Sequence, residues 1–245
     1  MNVKTALRVV DIVETFASHQ RPMPLSELAR MLAIPLSSCH ALVRTLEHRG
    51  YLYETAPRQG YYPTGRLLTM SRQISRHDPV LGRVHPTLME LRDATRETIV
   101  FGTLSEDDRV IYLDVLESPS SIRYTAQAGE FRAPYANSLG KALLSMQTAE
   151  RRATLLSGMK LQRITRRTLT TVRKIEADLA ASRKRGWFAN LAETMPDIAA
   201  IAWPVRLGHG VYAISIAGPM YRLEPSIPAY ARMLRSACTS LEQEH

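Results

Sequence analysis

The chain has 245 residues, 45% of them hydrophobic, enough for one large globular domain or two smaller ones. Its formal net charge is +9 at pH 7, a balance that suits a polyanionic partner. Two isolated cysteines, Cys39 and Cys238, exclude a CxxC metal or redox motif, and no apolar run reaches the roughly 18 residues of a membrane span.

The charge excess does not mark one end. Residues 1–80 carry ten Lys/Arg and six Asp/Glu (+4), and the remainder carries 22 and 17 (+5). The first stretch, MNVKTALRVVDIVETF, holds Asp11 and Glu14 within its apolar run, which argues against a secretory leader. With so few cysteines the expected compartment is the cytoplasm.

Helical spacing of Leu7, Val10, Ile12, Val13 and Phe16 predicts a first helix over Thr5–Ala17. SHQRPMP breaks it, and LSELARML predicts a short second helix. After the tight connection AIP, a third helix is expected from Leu36 to His48, with Gly50 as its stop. YLYET and YYPTG, around the turn-prone APRQG, read as a hairpin. A further helix covers Arg66–Ser75 and ends at the Asp78-Pro79 signal. Another runs over Val80–Arg96. Beyond it ETIVFGTL, RVIYLDVLE and SIRYTAQA look β-rich, and NSLGKALLS reads as a helix starting at Asn137 or Ser138. RRTLTTVRKIEADLAASRKRG ends in a helix stopped by Gly186. WFANLAE, IAAIAWPV and VYAISIAG read as three more strands, and Ile227–Glu242 as a closing helix. The fold class is therefore α+β.

Three short helices followed by a hairpin is the order of a winged helix-turn-helix. Small Ala29 lets the second and third helices cross closely, and Ile34 fills the turn. Leu42 and Leu46 point inward, which leaves Ser37, Ser38, His40, Ala41 and Arg44 on the outer face. A recognition helix presents such N-terminal residues to base edges and phosphates. Arg58, in the hairpin turn, is placed as a wing-tip contact.

No GxSxG, HExxH, P-loop or GxGxxG is present, so no catalytic residue or cofactor is expected. Cys39 beside His40 invites a nucleophile reading. Neighbours on a helix point about 100° apart, so a packing role for Cys39 is the expectation. The seven histidines lack metal-site spacing.

The segment ALRVVDIVETFA…MPLSELARMLAIPLSSCHALVRTLEHRGYLYE resembles the DNA-binding domain of the IclR family of bacterial transcriptional regulators. RVIYLDVLES, NSLGKALLS, ITRRTLTT, RKRGWFANLAE and AISIAGP extend the resemblance, in family order, over nearly the whole chain. It implies a winged helix-turn-helix over 1–65, a linker helix over 66–79 and a GAF-like effector-binding and oligomerisation domain over 80–245. The implied partners are a double-stranded DNA operator, a small-molecule effector and further copies of the chain, as a homodimer or dimer of dimers. Leu36 and Ala41 depart from the polar or basic residues frequent in the family.

By the same resemblance, the family's effector site maps onto Ser138, Leu139, Asn190, Ala200, Ser215 and Ala217. Asn190 replaces an acid, Ala200 a cysteine and Ala217 a serine, and Leu139 adds bulk. Tyr112, Tyr135 and Trp203 are expected to add aromatic surface. The expected effector is larger and more apolar than glyoxylate or pyruvate, such as an aromatic or related catabolic acid. A second reading stays open here: a GAF-like ligand-binding or catalytic module whose N-terminal helices serve only dimerisation.

Overall fold

A computed structural model of the chain describes residues 3–56 and 59–243. They divide into two compact units, residues 1–78 and 79–245.

In the first unit, helices α1 (Lys4–His19), α2 (Leu25–Met31) and α3 (Leu36–His48) precede strands β1 (Leu52–Ala56) and β2 (Gly60–Pro63), and helix α4 (Arg66–Arg76) follows. Ile12, Phe16, Met23, Leu28, Cys39, Val43 and Leu52 form the buried centre. Ala29 is buried where α2 meets α3, and Ile34 packs against the same cluster. On α3 the inward stripe is Cys39, Val43 and Leu46, while Leu42 is only half-buried. The stripe is thus rotated slightly from the expected Leu42–Leu46 pair. α3 ends in a Schellman turn: Gly50 N–H donates to the Glu47 carbonyl at 2.8 Å and Tyr51 N–H to Leu46 at 2.8 Å. Gly50 has φ +74°, the left-handed conformation that this motif places at the residue after the cap.

The hairpin is pinned to the helices. Met23 and Tyr61 exchange backbone hydrogen bonds of 3.1 and 2.9 Å, which adds a third chain to the wing. Gly60 makes this approach possible. It has φ +117°, and a Cβ there would stand 2.5 Å from the Met23 carbonyl carbon. Arg58 lies outside the described residues.

The second unit opens with α5 (Pro79–Thr95), followed by β3 (Thr98–Leu104), β4 (Val110–Leu116) and the two-residue β5 (Phe131–Arg132). Helices α6 (Ser138–Ser145), α7 (Ala149–Gly158) and α8 (Val172–Arg185) come next. Strands β6 (Phe188–Leu191), β7 (Ile198–Leu207) and β8 (Gly210–Pro219), short α9 (Met220–Leu223) and α10 (Ile227–Gln243) complete it. The strands form one antiparallel sheet in the order β5-β4-β3-β8-β7-β6. Strand alternation gives the sheet two buried faces. Ile99, Phe101, Ile201, Ile214 and Ile216 pack with α5 and α10. Val100, Ala202 and Ala213 pack with α6 to α8.

SIRYTAQA is not the strand its composition predicts. Side chains satisfy part of its backbone instead: Thr98 Oγ1 donates to the Tyr124 carbonyl at 2.6 Å. The edge position beside β4 is taken by Phe131–Arg132.

Candidate functional site

The outer face of α3 is open. Ser37, His40, Ala41 and Arg44 are exposed, Ser38 is half-buried, and Leu36 on the same face is 54% exposed. The residue before the helix is Pro35, which offers no side-chain cap. The first intrahelical bond is Cys39 N–H to the Pro35 carbonyl, so Leu36, Ser37 and Ser38 keep N–H groups without helical partners. An anion is the natural complement of such a helix start. Ser37 is therefore not the helix cap, and its hydroxyl stays available. Arg44 donates to Glu47 at 2.7 Å, a surface pair that ligand can displace. Behind this face Cys39 is fully buried, and burial pushes its thiol pKa up.

In the second unit a cavity of about 50 Å³ lies under the N-terminus of α6, against the sheet. Asn137 caps α6, its Oδ1 accepting from Gly140 N–H at 3.2 Å. Its Nδ2 donates to the Tyr112 hydroxyl at 2.8 Å. Ser138 and Ser215 hydroxyls meet at 2.9 Å across the cavity floor. Strand register explains the rest of the lining. Asn190 pairs with Ala200, and Ala200 pairs with Ala217, so these three stand in one row across β6, β7 and β8.

Seven of the nine effector residues expected from the sequence therefore line one cavity: Tyr112, Ser138, Leu139, Asn190, Ala200, Ser215 and Ala217. The other two do not. Trp203 is three residues beyond Ala200, which puts it on the other side of the pleat. Its ring sits 6.2 Å from Phe188 and 5.5 Å from the Arg235 guanidinium. Tyr135 is buried in the helix-side core, its hydroxyl donating to the Gln162 carbonyl at 2.8 Å. Sequence reasoning missed Val100, Tyr124, Arg132, Asn137, Thr194, Met195 and Ile198, which also line the cavity. Asn137 was legible as a helix start, but its second bond, to Tyr112, was not.

Asn190 faces the cavity with both ends already bonded. Its Nδ2 donates to Thr194 Oγ1 at 2.8 Å, and its Oδ1 accepts from Glu193 N–H at 2.8 Å. Tyr112 is buried and its hydroxyl lies 3.5 Å from that of Tyr124. Burial above all pushes the Tyr112 pKa up, so the phenol stays protonated and offers a neutral hydroxyl. Behind α6, Lys141 is 1% exposed and bridges Glu193 and Asp178, the latter at 2.8 Å. Burial pushes the Glu193 carboxyl pKa up, and its Oε2 finds no hydrogen-bond partner among the described residues. Among the described residues no group of acids, histidines and cysteines has a metal-holding arrangement, and no helix is long and apolar enough to cross a membrane.

Two domain families match. Residues 5–56 match the IclR helix-turn-helix domain, and residues 72–243 match the bacterial transcriptional regulator IclR C-terminal domain. The chain is 24% identical over 246 residues to the transcriptional regulator KdgR of Escherichia coli, covering 99% of this chain and 93% of KdgR. It is 29% identical over 218 residues to the regulator BhcR of Paracoccus denitrificans, covering 88% and 77%. Among solved structures, a Rhodococcus transcriptional regulator superposes with a TM-score of 0.84 at 22% identity, covering 99% and 98%. An IclR homologue of Microbacterium hydrocarbonoxydans, complexed with 4-hydroxybenzoate, superposes with a TM-score of 0.81 at 23% identity, covering 97% of each chain.

Proposed function

Because the chain belongs to the IclR family of bacterial transcriptional regulators, we propose that it binds an operator through α3 and releases or tightens its hold when an organic acid occupies the α6 cavity. Family members pair a DNA-binding helix-turn-helix with a C-terminal effector-binding domain and are regulators, not enzymes. The observation that carries the reading is the open face of α3, where three N–H groups without helical or capping partners among the described residues stand beside Ser37, His40 and Arg44.

In this reading Ser37 and Ser38 hold phosphate or base edges, and His40 and Arg44 read the major groove. Leu36 and Ala41 are apolar and exposed, which suits thymine methyl groups in place of the polar readers frequent in the family. Arg58 backs the wing on the phosphate backbone. The operator is bound in the cytoplasm by a homodimer or a dimer of dimers. Apolar Val3, just before α1, and Leu7 and Val10 on it are exposed, as are Leu68, Met70 and Ile74 on α4, which supports self-association.

The effector is an aromatic or related organic acid. Support comes from the Tyr112 and Tyr124 rings, the hydroxyl pair Ser138–Ser215, the apolar replacements Ala200 and Ala217, and the structural neighbour that holds 4-hydroxybenzoate. A volume of about 50 Å³ has room for a few waters. An aromatic acid therefore enters by displacing Leu139 or Met195. Effector and operator then alter each other's affinity by the same factor.

Fluorescence anisotropy of the full chain on promoter fragments and on random duplex tests this. Preference for one fragment, steep loss with salt and a shift on adding 4-hydroxybenzoate or a related acid are expected. Equal binding to all duplexes, or an operator affinity indifferent to every acid tried, overturns it.

A further inference from the structure

We propose that Arg132 anchors the acid group of the effector and fixes its orientation, with Glu130 as the carboxylate that the ligand displaces. The inference rests on the cavity reading above and assigns a residue that the family comparison did not supply.

Arg132 is the one charged side chain in the cavity lining among the described residues. It stands at the edge of the sheet, on β5. Its register partner on β4 is Val110, two residues from Tyr112 and so on the same face. The guanidinium carbon lies 5.5 Å from the Tyr112 ring centroid, and Tyr124 is its other aromatic neighbour. The nearby buried cation, Lys141, is held behind α6 by Glu193 and Asp178 and has no access to a ligand.

Arg132 is also replaceable in its present bond. Its Nη2 pairs with Glu130, two residues earlier, the two side chains being 35% and 30% exposed, while Nη1 donates to the Phe131 carbonyl at 3.1 Å and stays bonded when Glu130 leaves. A half-exposed pair of this kind is weak. A ligand carboxylate presented from the cavity side meets the same planar fork with better burial and bidentate geometry. Glu130 keeps a second role when displaced, because its other oxygen accepts from Gln127 N–H at 3.0 Å.

The anchor gives the ligand a direction. Arg132 marks one edge of the sheet on β5, the Ser138–Ser215 hydroxyl pair lies over β8, and Asn190–Thr194 closes the far edge on β6. An acid held at Arg132 extends its body under α6, along Tyr112 and Leu139, toward the hydroxyl pair. The ligand class is therefore a carboxylate with a flat apolar body and a polar far end. A neutral isostere leaves the guanidinium without the exchange it needs.

Calorimetric titration of the full chain with 4-hydroxybenzoate and 4-hydroxybenzamide tests the assignment. The wild type should prefer the acid. Arg132→Leu should weaken the acid by about tenfold or more and leave the amide unchanged, which abolishes the preference. Arg132→Lys should retain part of it, and Glu130→Gln should bind the acid several-fold more tightly. Glu130→Gln keeps an acceptor for Gln127, so it supplies an independent answer if Arg132→Leu fails to fold. If Arg132→Leu melts like wild type and binds the acid equally well, or if wild type takes the amide as tightly as the acid, the anchor is wrong and the cavity reading survives. If wild type binds neither compound, the cavity reading falls and the anchor with it.

Discussion

Side chains on the outer face of α3 point into solvent, whereas those around the α6 cavity are bonded to one another. Among the described residues Arg44 has the surface partner Glu47 alone. In the cavity Ser138 meets Ser215, Asn137 meets Tyr112 and Asn190 meets Thr194, all at 2.8–2.9 Å. A ligand at α3 adds contacts to a finished surface. A ligand in the cavity has to exchange with hydrogen bonds already made, in a place where unpaired groups are costly. Salt should therefore govern the first region, and matched hydrogen bonding the second.

The largest expected effect lies behind the cavity. Lys141→Met leaves the buried Glu193 without its cation, while Asp178 keeps Arg185 at 3.5 Å, and should destabilise the second unit by about 3–5 kcal/mol. Urea unfolding followed by tryptophan fluorescence reads this directly, because Trp187 and Trp203 both belong to that unit. A loss below about 1 kcal/mol would mean that the pair is solvated and that the contrast with α3 is overstated.

Next comes Arg44→Ala, which should lower operator affinity by about 1–3 kcal/mol while leaving random duplex little changed. Equal loss on both would turn Arg44 into a phosphate contact and erase the specificity assigned to the helix face. The pH response of Glu193 sharpens the other side. Burial raises its folded pKa above the ordinary value of 4.5, so the folded state holds the proton more tightly than the unfolded one. Its favourable contribution is present below about pH 4.5 and fades as pH rises through the folded pKa. Wild type should lose stability relative to Glu193→Gln on going from pH 4 to neutrality, and parallel curves would refute the shift. The smallest effect belongs to Glu47→Gln, which should change folding stability by less than about 1 kcal/mol. It should tighten DNA binding slightly by freeing Arg44.

The sequence disclosed α3 well because its outer face is set by local spacing: residues 37, 40, 41 and 44 share a side whatever the rest of the chain does. The cavity is assembled from six strands, and only part of that is local. Ser138 and Asn190 carried their positions in short motifs. Trp203 could have been excluded by counting three residues from Ala200. Arg132 and Tyr124 had no such signal. Arg132 reaches the site through a two-residue edge strand, and Tyr124 through a segment whose β-rich composition pointed to a strand. Both depend on which strands become neighbours, a long-range choice that periodicity does not encode.

The burial of Cys39 has a consequence for how the protein weathers oxidants. Its sulfur sits on the back of α3, fully enclosed, with its thiol kept protonated by its surroundings. Cys238 is buried in the same way in the other unit. Peroxide and alkylating agents attack exposed thiolates, and neither unit presents one. The helix proposed to read DNA should therefore keep its shape under oxidative stress, and an oxidant-dependent change in DNA binding would have to originate somewhere other than in a thiol of this chain.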